Sequence, residues 1–185
     1  MWIEFQTKKS VFTKTNSMKT LKTLCILFLS VAIISCSKKD DDGDGGGGAP
    51  PAEFKATLNG GSFGSNYTAE LGSYSTDKTN GVTIAVTDAN SNIIRIFMNQ
   101  TGGFDNVIKE IGNVDDNGFV TNVILRDQQA NNTYYATEGR IVITENKANP
   151  ESEGGRLLSG TFDIKASINT GEMVTMTGNF KNIAY

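Results

Sequence analysis

The residues able to do chemistry in this chain are few: one cysteine in a telling setting, a scatter of carboxylates and a handful of tyrosines. Among its 185 residues there is no histidine, and the two cysteines are Cys25 and Cys36. Without imidazole, Ser–His and Cys–His nucleophile pairs are excluded, together with the usual zinc and iron ligand sets. Carboxylate chemistry survives. A glycosidase needs two acids about 5 to 9 Å apart, and Glu70, Asp105, Glu110, Asp127 and Glu138 are the candidates. None stands in a distinctive motif, and acids on β-surfaces are ordinarily solvated, so no catalytic residue and no enzyme activity are expected.

Two runs have the opening spacing of a calcium loop: Asp40, Asp42, Asp44 and Gly45, and Asn113, Asp115, Asn117 and Gly118. The twelfth position should supply a bidentate glutamate, and it is Pro51 in the first and Ile124 in the second. The first reads as linker and the second as a polar hairpin turn. The glycines 45–48 precede no strand–helix unit, so they make no phosphate loop. No metal and no cofactor are expected. Tyr67, Tyr74, Tyr134 and Tyr135 fall near strand ends or turns, where exposed rings could stack on sugars. Adjacent Tyr134 and Tyr135 must point to opposite faces of a strand, so at least one of them can belong to the core.

The setting of Cys36 comes from what precedes it. Lys19 and Lys22 form a positive segment after Met18, and Leu24 to Ile34 is apolar but for Ser30. That length fits the apolar region of a secretory signal and falls short of the roughly 20 residues a transmembrane helix needs. The segment is apolar on all sides and runs straight into a charged stretch, unlike an amphipathic core helix. Ile33-Ile34-Ser35-Cys36 resembles the lipobox of bacterial lipoproteins. The resemblance implies cleavage between Ser35 and Cys36, diacylglycerol on the Cys36 thiol, usually an acylated new amino terminus, and so a membrane partner through that anchor. A single acyl chain anchors only marginally at about 0.8 kcal/mol per buried methylene, so two or three chains make attachment durable. Residues 1–17 fit no part of this design, and translation is expected to start at Met18, with residues 1–35 as the signal peptide. With Cys25 in that signal and Cys36 lipidated, no disulfide is expected.

Residues 36–51 form an acidic, glycine-rich tether with no apolar periodicity, which cannot offset its chain entropy. Fifteen residues of such chain span about 20 Å on average. Lys38, Lys39, Asp40, Asp41 and Asp42, just after the cysteine, resemble the export signal of Bacteroidetes lipoproteins that reach the outer face of the outer membrane. The resemblance implies a cell-surface location, the alternative being an ordinary spacer. Residues 36–185 carry 12 Lys+Arg against 19 Asp+Glu, a net charge near −7. An acidic chain with no basic stripe does not suit nucleic acid.

The elements that must position any site lie in residues 52–185. In `GVTIAVTD`, Val82, Ile84 and Val86 alternate with polar or small residues. Phe162, Ile164, Ala166 and Ile168 do so in `GTFDIKASI`, and Val174, Met176 and Phe180 share a face in `MVTMTGNF`. Period-two alternation marks antiparallel strands with one wet and one buried face. `EFKATLN`, `SFGSNYTAEL`, `NIIRIFMN`, `FVTNVILRD`, `NTYYATEG` and `RIVITEN` are further strand candidates. Turn chemistry separates them at Asn59-Gly60-Gly61, Asn80-Gly81, Asp88-Ala89-Asn90, Asp116-Asn117-Gly118 and Thr170-Gly171. Only `DNVIKEIGNV` could form a turn or two of helix. The expectation is an all-β domain, an antiparallel β-sandwich or small β-barrel of about nine or ten strands.

`FKATLNG` with Phe63 after it, the closing `SGTFDIKA` and `MVTMTGNFKNI` resemble a group of Bacteroidetes outer-membrane lipoproteins of unknown function. The resemblance implies a single β-domain behind a lipid anchor, and it carries over no catalytic residue. The functional expectation is a non-catalytic binding or scaffolding module that contacts a glycan or an envelope protein. The alternatives are a barrel that carries a small apolar ligand and a carboxylate-based glycosidase.

Overall fold

Alternation becomes strand almost wherever it occurs. The structure, a computed structural model, describes residues 48–185. The signal peptide, Ser35, Cys36, the Lys38–Asp42 cluster and the first calcium-like run therefore lie outside the described residues. The strands are β1 (Glu53–Gly60), β2 (Tyr67–Glu70), β3 (Ser73–Asp77), β4 (Gly81–Thr87) and β5 (Ile93–Asn99). They continue with β6 (Ile108–Glu110), β7 (Asn122–Asp127), β8 (Asn132–Ala148), β9 (Arg156–Ser167) and β10 (Met173–Ala184). A short 3-10 turn covers Gly61–Phe63, and no α-helix occurs among the described residues.

All ten strands belong to one antiparallel sheet, ordered β2-β1-β10-β9-β8-β7-β5-β4-β3, with β6 paired to β8 beside that path. The sheet curls into a half-barrel rather than splitting into two stacked layers. Its terminal strands, β2 and β3, are consecutive in the chain with only Leu71 and Gly72 between them. At this corner the Leu71 N–H donates to Phe54 O of β1 and the Gly72 N–H to Thr87 O of β4. One bent run of backbone thus pairs first with one end of the strand order and then with the other, which leaves each terminal strand very short. Short edges limit pairing with foreign strands.

The inner side of the curl is the core. Val82, Ile84 and Val86 of β4 face Ile94, Ile96 and Met98 of β5, and all six are buried. Ile164 and Ala166 meet Met176 and Val174 across β9 and β10 in the same way, and Phe162 lies opposite Gly178. Phe54 of β1 stacks on Phe162 with ring centroids 5.5 Å apart. These side chains form one contiguous cluster. Each fully buried Val, Leu, Ile or Phe contributes about 1.5–3 kcal/mol relative to exposure.

Four expectations change in detail. `NTYYATEG` and `RIVITEN`, expected as two strands, are the single strand β8, with register shifts between Ala136 and Glu138 and between Ile143 and Glu145. Gly139 sits beside the first bulge at φ +127, where a Cβ would run into the Asp163 carbonyl oxygen, so only glycine keeps β8 continuous there. `DNVIKEIGNV` forms no helix, because Ile108–Glu110 pairs with Val142–Arg140 of β8 as β6. `SFGSNYTAEL` is strand only over Tyr67–Glu70. β3 was not expected at all: in `SYSTD` only Tyr74 is apolar, so the alternation has almost no contrast.

Candidate functional site

An apolar surplus on one strand creates the feature best suited to binding. Alternation on β5 points Ile94, Ile96 and Met98 inward, so Ile93, Arg95 and Phe97 face outward. Thr83 of β4 lies opposite Phe97, and Phe97 opposite Asn122 of β7. In the next row Ala85, Arg95, Ile124 and Tyr135 run across β4, β5, β7 and β8. Phe97 and Ile124 are half-buried and Arg95 is exposed.

The segment between β6 and β7 builds a wall beside this row. It is a hairpin held by the Val114–Val120 bridge, and the Asp115 carboxylate shapes its turn by accepting the N–H groups of Asn117 and Phe119, each at 2.9 Å. Buried Asn99, at the end of β5, clamps it by donating to the Asn113 and Phe119 carbonyls at 2.9 and 3.0 Å. Phe119 is thereby held edge-on to Phe97, centroids 6.4 Å apart. The result is a solvent-open groove of about 550 Å³ that includes Asn80, Thr83, Arg95, Phe97, Phe119 and Asn122. The second calcium-like run is thus a polar hairpin turn, and it forms a groove wall.

The tyrosines expected as contacts divide. Tyr135 faces outward beside Ile124 and is 56% exposed. Tyr67, Tyr74 and Tyr134 lie directly opposite the buried Leu58, Val86 and Leu125, so they face the inner side. Tyr134 is fully buried; its hydroxyl donates to Glu172 Oε1 at 2.5 Å and accepts the Ser62 N–H at 2.9 Å. This removes Tyr134 from any ligand-contact set, because the strand register assigns it to the core and both sides of its hydroxyl are engaged. The half-buried Tyr67 donates to Asp88 Oδ2 at 2.5 Å and accepts from Asn92 Nδ2 at 2.7 Å. Burial, aided by the Asp88 hydrogen bond, pushes its pKa up. These two phenols knit the end of the curl near the Gly61–Phe63 turn, with Phe63 packed 5.3 Å from Tyr67 and 6.0 Å from Tyr134.

Of the five acids, the fold brings together Glu110 and Glu138, which share an exterior depression with Arg140, Asp163 and Lys165. Glu138 binds Lys165 at 2.6 Å, and this hydrogen bond raises the lysine's pKa. Glu70 pairs with Lys55 at 3.2 Å and Asp105 with Arg156 at 3.6 Å. Asp127 is buried and accepts the Gln129 and Ala130 N–H groups at 2.9 and 3.0 Å. Burial raises its pKa, but hydrogen bonds from Ala130, Ser62 and Gln129 outweigh that and hold it below the usual value.

Sequence reasoning missed Lys109. Only 3% exposed, its ammonium donates to the Asn99 and Thr101 carbonyls at 2.9 and 2.5 Å and lies 4.5 Å from the Phe104 ring. Burial lowers its pKa. The side chain pins the segment after β5 across the other end of the curl, where Phe104 also meets Tyr185. It also missed Arg95, Phe97 and Phe119. For Phe97 a signal was present: `NIIRIFMN` is apolar at the outward positions Ile93 and Phe97 as well as at the inward ones, a pattern of strands covered on both faces. Among the described residues no cluster of metal-ligating side chains is found.

No protein-family model, curated protein or solved structure matches the chain.

Proposed function

We propose that this protein is a non-catalytic binding or scaffolding module, lipidated at Cys36 and held by its tether at the outer membrane, facing the exterior. The observation that carries the binding half is the outer groove of β4, β5 and β7, where exposed Arg95 and half-buried Phe97 and Phe119 line a solvent-open depression beside a rim of amides. The inner side of the curl, by contrast, is filled with Leu58, Ile84, Ile96, Leu125, Ile164 and Met176, which favours recognition on the outside over carriage of an apolar ligand within. The anchoring half is supported by the sequence around Cys36 and by the absence of further cysteines after it.

A photo-reactive residue placed at Thr83, in the groove, should give a covalent adduct on intact cells. The same residue at the exposed Thr177 of β10 should give none. Adducts from Thr177 alone, or from neither position, would contradict the groove as the contact surface.

A further inference from the structure

We infer that the groove takes a carboxylate-bearing sugar, a uronic acid unit of a surface glycan, with Arg95 as the carboxylate clamp and Phe97 as the ring platform. The inference rests on the binding-module reading above and gives its ligand a chemical class. Four arginines occur among the described residues, and two of them have hydrogen-bond or ion-pair partners. Arg126 donates to Thr133 Oγ1 at 3.1 Å and to Asn131 Oδ1 at 2.8 Å. Arg156 donates to Asn146 and lies near Asp105. Arg140 forms neither, but its neighbours in register are the two acids Glu110 and Asp163. Arg95 has the neutral Ala85 on one side and Ile124 on the other. It forms no ion pair or hydrogen bond among the described residues. Asp77 also lines the groove but does not come within ion-pair distance.

A guanidinium is planar, always charged and offers a fork of donors that fits a carboxylate bidentately. Left without an internal partner on an apolar floor, it is matched to an anion from outside. The rest of the groove suits a pyranose, which has an apolar face and a polar rim. Phe97 and Phe119 supply flat apolar area, while Asn80, Asn122 and Thr83 supply amides and a hydroxyl around it. An acidic peptide would satisfy Arg95 equally well. A stable protein interface, however, buries about 800 Å² per partner around a deep aromatic anchor, and this groove is open. General attraction of polyanions is ruled out as a driving force, since residues 36–185 carry a net charge near −7.

The test is native affinity electrophoresis of the full-length protein in detergent, through gels containing polygalacturonate, neutral galactan or poly-glutamate. Retardation should occur with polygalacturonate alone. It should weaken about ten-fold in Arg95→Met and in Phe97→Ala, as loss of a charge-assisted bidentate contact or a stacking platform implies. Arg140→Met should behave as wild type, and Arg95→Met should leave the thermal midpoint unchanged because Arg95 is exposed. Retardation by galactan that survives Arg95→Met overturns the acidic-sugar assignment while leaving a glycan-binding module standing. Equal retardation by poly-glutamate overturns it in favour of an acidic peptide. Absence of retardation in all three gels overturns it too, and the binding-module reading is then judged separately by the adduct at Thr83.

Discussion

Asp127 ends β7 with its carboxylate buried, and its titration links local geometry to the stability of the whole sheet. Its pKa is held below the usual value although burial opposes this, because Ala130, Ser62 and Gln129 donate to the ionised form. A folded pKa below the unfolded one means that the unfolded chain binds more protons in the window between them. The stabilisation is therefore present above about pH 4, the ordinary carboxylate value, and is lost as pH falls through the folded pKa. Asp127→Asn should cost about 1–3 kcal/mol at pH 6, as expected for weakening hydrogen bonds to a buried charge. Its urea midpoint should also fall less steeply than that of wild type between pH 5 and pH 3. Parallel acid slopes for the two proteins would show that Asp127 is not the group involved. At this scale the sequence was a partial guide to the site. It told that Tyr134 and Tyr135 diverge, but not which one is buried, since that depends on pairing with Leu125 across β7. Arg95 could not be singled out, because its lack of a partner depends on which strands lie on either side.

Element by element, strands with strong contrast between their two faces were legible and those defined by distant pairing were not. β4, β9 and β10 alternate clearly, and their inward residues are the buried ones. β6 was hidden because Val107, Ile108 and Ile111 are spaced like a helical face, and only β8 makes the segment a strand. The continuity of β8 depended on Gly139, which as a sequence feature reads as a break. The register of β9 gives a direct test. Phe162 is 4% exposed and stacked on Phe54, while Asp163 is exposed on the other face. Phe162→Ala should cost about 3–5 kcal/mol through lost burial and a cavity. Asp163→Ala should stay within about 0.5 kcal/mol. Chemical denaturation of both variants checks this, and a reversal of the two effects would mean a one-residue slip in the strand.

At the scale of the whole molecule, the all-β class and the strand number were legible because alternation and turn residues recur along the entire domain. The single curled sheet was not, since it depends on the Leu71–Gly72 corner joining β1 to β4. With no thiol after Cys36, the domain has no internal disulfide, and its stability rests on the core. A domain of this kind is stable by only about 5–15 kcal/mol. If Cys36 is the lipid acceptor, Cys36→Ser should remain an unprocessed precursor and fail to incorporate labelled palmitate. Alanine at Lys39, Asp40, Asp41 and Asp42 should leave the lipid in place and keep the protein on the inner leaflet. The account as a whole is tested most directly by protease shaving of intact cells that express wild type and this alanine variant. Wild type is expected to be digested from outside while the variant is protected until the cells are lysed. Protection of wild type in intact cells, or equal digestion of both, would contradict a surface module exported by its charged tether.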